Sequence, residues 1–149
     1  MKKKIANWGN YPVMETEEKT FIFEEQLSEA ILHSDNIIAR GNGRCYGDAS
    51  LAKHTISTLK YDKVLSFDTE TGIFECQAGL TLDKILEVIV PKGWFLPVTP
   101  GTKFITVGGA IASGQGRNGR QRRENRSDNF FQFVTEWMHG VNPQFAHRA

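Results

Sequence analysis

Two glycine-punctuated segments constrain this chain more than any other feature of its sequence. The first follows a short apolar run and contains Gly41, Gly43 and Gly47, and the second extends from Pro100 to Ser113. Because glycine has no Cβ, successive backbone N–H groups can converge on an anion, and the chain can lie directly against a ligand. Together the two segments predict one extended ligand that carries phosphate.

Length and composition limit the class of protein. The chain has 149 residues and a formal net charge of +1. It is therefore long enough for one domain with a hydrophobic core, but short for an enzyme with separate cofactor and substrate domains. A balanced charge predicts no general attraction to nucleic acid or to a membrane surface.

Nothing in the sequence predicts export or membrane insertion. The basic start of the chain is followed by polar residues at positions 7–10, where a signal peptide needs an apolar region. No apolar run approaches the ~20 residues of a membrane-spanning helix. Cys45 and Cys76 lack motif spacing, which favours free thiols in a reducing compartment, and the four histidines show no metal-ligand spacing. We therefore expect a cytoplasmic protein without a metal site.

Hydrophobic periodicity predicts an α+β domain with a small mixed sheet and two helices. The better defined helix begins after Thr81, carries apolar residues at i, i+3, i+4 and i+7 from Leu82, and ends near Pro91. The other helix is predicted over 24–34. The order of elements favours α+β over a doubly wound sheet. Strands are predicted at 20–23, 36–39, 55–59, 64–67, 73–76 and 94–96, with 64–67 and 73–76 forming a hairpin.

Two common nucleotide motifs do not fit the first glycine segment. Its spacing is G-x-G-x-x-x-G, whereas the dinucleotide fingerprint of the Rossmann fold is G-x-G-x-x-G, and residues 48–54 do not promise the helix that must follow. A P-loop needs Gly-Lys-Ser/Thr, which the segment lacks. The structural alternative is that both segments are merely tight turns, which their co-occurrence makes less favourable.

The residues of both segments resemble a known family. Residues 40–48, Arg-Gly-Asn-Gly-Arg-Cys-Tyr-Gly-Asp, and residues 100–113 resemble the two flavin-contacting segments of the vanillyl-alcohol-oxidase-type (PCMH-type) FAD-binding domain. They are most similar to the branch that contains sugar-alcohol oxidases, aldonolactone oxidases and decaprenylphosphoryl-ribose oxidases, and residues 7–11 also resemble that branch. The resemblance spans about residues 7–113 and implies the N-terminal part of such a domain.

The resemblance also implies which residues hold the cofactor. The backbone amides of residues 41–46 would hold the FAD pyrophosphate, and the second segment would line the flavin and its ribityl chain. The implied cofactor-binding residues are Gly41, Asn42, Gly43, Arg44, Cys45, Tyr46, Pro100, Gly101, Thr102, Thr106, Val107, Gly108, Gly109, Ala110 and Ser113.

Arg44 stands where some members of this family carry the histidine that links FAD covalently. Because arginine cannot form that link, the resemblance implies noncovalent FAD. Arg44 either adds positive charge to the site or forms an exposed ion pair. We expect Cys45 to be a small buried residue and the Asp48 carboxylate to accept backbone N–H bonds within the loop.

The chain departs from the family pattern after Ser113. Where the pattern continues with a histidine the chain has Gln115, and from residue 117 onward all six basic residues are arginine, whereas ten of the twelve before it are lysine. We therefore predict two regions: residues 1–113 as the FAD-binding part, and residues 114–149 as an atypical tail that is disordered or comes from a truncated or frame-altered reading frame. Binding of RNA or another polyanion through residues 117–126 is the alternative, disfavoured because aromatic residues are not interleaved.

The function implied by the resemblance is oxidation of an alcohol or sugar C–OH by hydride transfer to FAD. The substrate is a partner of the full-length relative, and the segment present here supplies binding and orientation of the cofactor. We expect this chain alone to be inactive, and its sequence supports no assignment of a catalytic residue. A catalytically inert fragment or a binding module is the alternative.

Overall fold

The computed structural model describes residues 2–96 and 99–113, which form two small sheets and three α-helices, so the α+β class is confirmed. The predicted tail at 114–149 lies outside these residues. Within them, no helix is both long and apolar enough to cross a membrane. The elements are β1 (Lys2–Ile5), β2 (Met14–Thr20), α1 (Glu24–Leu32), β3 (Ile38–Arg40), β4 (His54–Ser57), β5 (Val64–Phe67), β6 (Phe74–Cys76), α2 (Leu82–Ile89), a 3-10 turn (Val90–Lys92) and α3 (Val107–Ala112).

The four-stranded sheet has the order β1-β2-β4-β3. Strand β1 runs antiparallel to β2, whereas β2 and β3 both run parallel to β4, with Lys19 and Ala39 opposite Ile56. A crossover through α1 joins β2 to β3, which are parallel and lie on either side of β4, and parallel strands require such a connection. Phe21, Ala30 and Ile56 form the small core of this unit. Strand β3 ends at Arg40, and the first glycine segment follows directly.

A second core joins the β5–β6 hairpin to α2 and α3. The apolar positions of α2 that the sequence predicted to share one face are buried here, because Leu82, Ile85 and Ile89 pack together. The other buried members of this core are Phe74, Cys76, Leu80, Leu96 and Val107.

The start of α2 is held by the second glycine segment rather than by its own cap. Thr81 occupies the N-cap position as predicted, but its side chain makes no capping hydrogen bond. Instead the N–H groups of Leu82 and Asp83 donate to the carbonyls of Ile105 and Lys103, both at 3.0 Å. These bonds satisfy N–H groups that lack a partner within the helix. The approach to α3 is therefore fixed against α2.

Several elements differ from the sequence prediction. The strand expected at 20–23 lies earlier, at Met14–Thr20, and Phe21 enters the core instead. Residues 94–96 form no strand, because Leu96 packs among the helices of the second core. The predicted hairpin is confirmed. The expectation of two helices omitted α3, because the second glycine segment was interpreted as a loop throughout.

Candidate functional site

The first glycine loop, residues 41–47, leaves the end of β3 and presents a row of unpaired backbone donors. Within the residues that the structure describes, none of the N–H groups of residues 41–46 donates a hydrogen bond. Gly43 and Gly47 have φ angles of 61° and 59°, a region that favours glycine because other residues are strained there. Consecutive free N–H groups in such a loop are suited to bind an anion.

A buried guanidinium lies directly beneath this loop. Arg40 is 9% exposed, and its Nη1 donates to Asn7 Oδ1 and to Ser50 Oγ, the latter at 2.8 Å, while Nη2 donates to the Ala6 carbonyl at 2.8 Å. A Cβ added to Gly43 would lie 2.9 Å from Arg40 Cζ. Across residues 2–96 and 99–113, no carboxylate lies within 4.0 Å of this guanidinium. The charge under the loop therefore has no opposite charge in contact with it.

Asn7 joins the two ends of the loop. Its Oδ1 accepts from Arg40 and from Ser50 Oγ, the latter at 2.9 Å, and its Nδ2 donates to the Gly47 carbonyl at 3.0 Å. The neighbouring Trp8 N–H donates to the Cys45 carbonyl at 3.1 Å. Sequence reasoning did not assign Asn7, Arg40 or Ser50 to the site. The resemblance of residues 7–11 to the family was the available signal for Asn7.

Side chains of the first loop connect it to the second glycine segment, residues 100–113. Asn42 Nδ2 donates to the Phe104 carbonyl at 2.9 Å, and a Cβ added to Gly41 would overlap the Thr106 side chain. The Arg44 guanidinium lies over the rings of Trp8 and Phe104, 5.0 Å and 5.9 Å from their centres. In the described part of the chain Arg44 forms no ion pair, so it makes cation–π contacts instead.

In the second glycine segment, the backbone N–H groups of residues 107–110 all donate to acceptors within the protein. The N–H groups of Val107 and Gly108 donate to the carbonyls of Leu80 and Ala78, at 2.8 Å and 2.9 Å. The Gly109 N–H donates to Thr106 Oγ1 at 3.1 Å, which caps α3, and the Ala110 N–H donates to the Thr106 carbonyl. None of the four N–H groups remains free for a ligand.

Exposure divides the predicted residues of the second segment into two groups. The side chains of Thr106, Val107 and Ala110 are buried and support the fold. By contrast Gly101 and Gly109 are exposed, and a Cβ added to Gly101 would have no atom of the described residues within 4 Å, its chain neighbours aside. The remaining predicted residues of the segment, half-buried or exposed, are Pro100, Thr102, Gly108 and Ser113.

Two expectations about side chains of the first loop were wrong. Cys45 is half-buried rather than buried, and its Sγ lies 3.1 Å from Ser50 Oγ. Within the described residues the Asp48 carboxylate accepts no hydrogen bond, and only the Asp48 carbonyl does so, from the Leu51 N–H at 2.8 Å. The loop is fixed from below by Arg40 and Asn7 instead. Tyr46 is largely exposed.

Comparison with known proteins identifies relatives of this chain. Decaprenylphosphoryl-beta-D-ribose oxidase of Mycolicibacterium smegmatis is 32% identical over 116 residues, which cover 73% of this chain and 25% of the oxidase. D-lactate dehydrogenase of Anaerostipes hadrus is 36% identical over 61 residues, 41% of this chain and 13% of that enzyme. The mitochondrial D-2-hydroxyglutarate dehydrogenase of Bos taurus is 32% identical over 62 residues, 41% of this chain and 11% of that enzyme.

The chain spans a quarter or less of the length of these three relatives. A family model described as FAD binding domain matches residues 24–134, a range that contains both glycine segments. The match covers well over half of the chain, and the chain belongs to this family of FAD binding domains.

Proposed function

We propose that this chain is the FAD-binding segment of an FAD-linked oxidoreductase and that its first glycine loop binds the FAD pyrophosphate. Within the described residues the N–H groups of residues 41–46 donate no hydrogen bond, and this row of donors is the observation that carries the proposal. A pyrophosphate is a dianion or more highly charged, so it is best held by several converging donors. The uncompensated guanidinium of Arg40 beneath Gly43 adds to the suitability of this loop for an anion.

The second glycine segment would serve the flavin and its ribityl chain mainly by shape. Because the N–H groups of residues 107–110 are already bonded within the protein, they offer the cofactor no free donors. The exposed Gly101 and Gly109 instead leave space where a flat ring system could lie against the backbone. The hydroxyls of Thr102 and Ser113 are also engaged within the protein, with the Phe104 N–H and with the carbonyls of Gly109 and Ala110.

We propose that the cofactor is held noncovalently. Arg44 stands at the position that carries the linking histidine in some members of the family, and its guanidinium stacks on Trp8 and Phe104. This contact supports a role in joining the two glycine segments. The Cys45 thiol points toward Ser50, with 3.1 Å between Sγ and Oγ, which supports a packing role rather than attachment.

The reaction is proposed for the whole protein, of which this segment would be the part that binds and orients FAD. The names of the three relatives refer to a ribose, to lactate and to 2-hydroxyglutarate, and each of these compounds carries a hydroxyl group. We therefore propose oxidation of an alcohol or sugar C–OH, with oxygen or another acceptor restoring the cofactor. FAD supplies the hydride-accepting chemistry. Residues 1–113 would form the cofactor-binding part, and this chain alone would show little or no turnover.

Titration of the purified 149-residue chain with FAD tests the proposal. A ligand that binds only the native state stabilises it by about 2.7 kcal/mol at one hundred times its Kd, so we expect a clear rise in Tm. Acid precipitation of the complex should leave the flavin in the supernatant. An unchanged Tm at millimolar FAD would contradict the proposed function, and flavin that stays with the precipitate would contradict noncovalent binding. Salt-dependent retention of RNA without FAD binding would favour the polyanion alternative.

A further inference from the structure

We infer that Arg40 is a positioning residue whose buried positive charge is kept uncompensated in order to attract the anion bound by the first glycine loop. The inference rests on the proposed function, which places the FAD pyrophosphate at that loop. It concerns a residue outside the set that sequence reasoning assigned to the cofactor.

The partners of Arg40 satisfy its hydrogen bonds without neutralising it. They are the Asn7 amide oxygen, the Ser50 hydroxyl and carbonyl oxygens and the Ala6 carbonyl oxygen, all of them uncharged. Buried charged side chains are ordinarily paired with an opposite charge, because burial removes the water that would stabilise them. In the part of the chain that the structure describes, Arg40 is buried without such a pair.

The position of this charge explains why it would act on the loop. The loop turns over the guanidinium at Gly43, where a Cβ would lie 2.9 Å from Arg40 Cζ. The charge is therefore one layer of backbone away from the unpaired N–H groups. A partly buried charge is screened by water and salt much less than an exposed one, so its attraction for an anion on the loop persists at physiological ionic strength.

A substitution at position 7 distinguishes an electrostatic role of Arg40 from a purely structural one. Aspartate has the shape of asparagine and can accept the same two hydrogen bonds from Arg40 and Ser50, but it brings a carboxylate into contact with the guanidinium and cannot donate to the Gly47 carbonyl as Asn7 Nδ2 does. A guanidinium that only braces the loop would be held at least as well after the substitution Asn7→Asp. A guanidinium that attracts the cofactor would be neutralised by the same substitution.

The test is FAD binding by the full chain with Asn7→Asp, compared with Asn10→Asp as the matched control. Asn10 is exposed and has a φ of 56°, a conformation that aspartate tolerates, so the control makes the same charge change away from Arg40. We expect Asn7→Asp to fold with a Tm somewhat below that of the wild type, because the bond to the Gly47 carbonyl is lost, and to raise the Kd for FAD about tenfold or more. Asn10→Asp should stay within about twofold.

A second variant approaches the guanidinium from its other side. Ser50 Oγ lies 2.8 Å from Arg40 Nη1, so Ser50→Asp also places a carboxylate on the charge. This variant loses the bond from Ser50 Oγ to Asn7 Oδ1 but keeps the one from Asn7 Nδ2 to Gly47, so a similar loss of FAD affinity in both variants follows the charge rather than one hydrogen bond. The wild-type chain provides a measurement that needs no variant: the Arg40 Nε–Hε resonance should shift when inorganic pyrophosphate is added.

The outcomes distinguish this inference from the proposed function. If the wild-type chain does not bind FAD, the proposed function fails. If the wild type binds FAD and a folded Asn7→Asp or Ser50→Asp binds it as Asn10→Asp does, the inference alone is overturned. If neither variant folds, an Arg40 resonance that pyrophosphate leaves unchanged overturns it, and a shifted resonance supports it.

Discussion

The two glycine segments look alike in sequence, but they differ in how their backbone N–H groups are hydrogen-bonded. The first loop has glycines with positive φ and leaves the N–H groups of residues 41–46 unpaired, as far as the described residues extend. The second segment begins a capped helix, and the N–H groups of residues 107–110 are all bonded within the protein. In the proposed site, the first segment would offer hydrogen-bond donors, whereas the second would offer an open backbone surface.

The contacts between the segments explain how such different pieces could serve one ligand. Asn42 reaches the Phe104 carbonyl, Arg44 stacks on Phe104, and Gly41 lies against Thr106. The second segment is in turn fixed to α2 through Ile105 and Lys103. The second segment therefore contacts the first loop on one side, while Arg40 and Asn7 support it from below.

The largest expected effect is that of Gly43→Asp in the first loop. The new side chain would overlap the Arg40 guanidinium and would place a carboxylate beside the proposed pyrophosphate site. We expect the FAD-dependent rise in Tm to disappear. Gly9→Asp is the matched control, because Gly9 is exposed with no protein atom within 4 Å of an added Cβ. Equal Tm rises in the two variants would remove the loop from the site.

The reactivity of the two cysteines allows the first glycine loop to be compared with the second hydrophobic core. Cys45 is half-buried in the first loop, whereas Cys76 is buried beside α2, and burial raises the pKa of its thiol to about 12. At pH 8 only about one Cys76 thiol in ten thousand would be ionised, and the thiolate is the reactive form. We expect iodoacetamide to modify Cys45 first in the native chain, and FAD to slow that reaction. Peptide mass spectrometry measures the rate at which each cysteine is modified. Modification of Cys76 as fast as Cys45 would contradict the burial of Cys76.

Gly109→Ala should separate stability from binding in the second segment. Alanine is favoured over glycine inside a helix by about 1 kcal/mol. Among the described residues the new Cβ would lie close to Thr106 Oγ1, at 3.1 Å, so the cap of α3 must shift slightly and offsets part of this gain. Unfolding of the chain without cofactor should therefore cost about as much free energy as before. If the flavin lies against this backbone, the Kd for FAD should rise several-fold. Unchanged FAD affinity would show that Gly109 does not face the cofactor.

Thr106→Val should have the smallest effect on the cofactor. The substitution removes the hydroxyl that accepts from the Gly109 N–H at the start of α3, and loss of such a cap costs about 1 kcal/mol. Chemical denaturation should show this loss, while Thr106→Ser, which keeps the hydroxyl, should retain most of the stability. A fall in FAD affinity as large as that of Gly43→Asp would mean that the second segment, not the first, dominates binding.

The elements that could be predicted from the sequence are those with a local signal. The apolar face of α2 and the turn of the β5–β6 hairpin were recognised, because each is encoded by residues close together in the chain. Strand β2 was misplaced because it is mostly charged, and of its residues only Thr16 is buried. Helix α3 was missed because two glycines lower its helix propensity, while the bonds from residues 107 and 108 to Leu80 and Ala78 are nonlocal.

The candidate site shows the same division between features with a local sequence signal and features that depend on nonlocal contacts. The glycine loop itself was found from its spacing, but the supporting residues Asn7, Arg40 and Ser50 come from three separate parts of the chain. No periodicity or local motif connects an asparagine at position 7 with an arginine at position 40. Their association is nonlocal, because β1 and β3 are the two edge strands of the sheet and the chain after β1 meets the Arg40 side chain only in the folded protein.

Residue-resolved amide hydrogen exchange of the 149-residue chain, with and without saturating FAD, tests the central claim most directly. Exchange is slowed by hydrogen bonding, so the amides of residues 107–110 should be protected in both states. The amides of residues 41–46 should exchange rapidly without cofactor and become strongly protected when FAD is bound. Bound FAD that leaves the exchange of residues 41–46 unchanged would contradict the account.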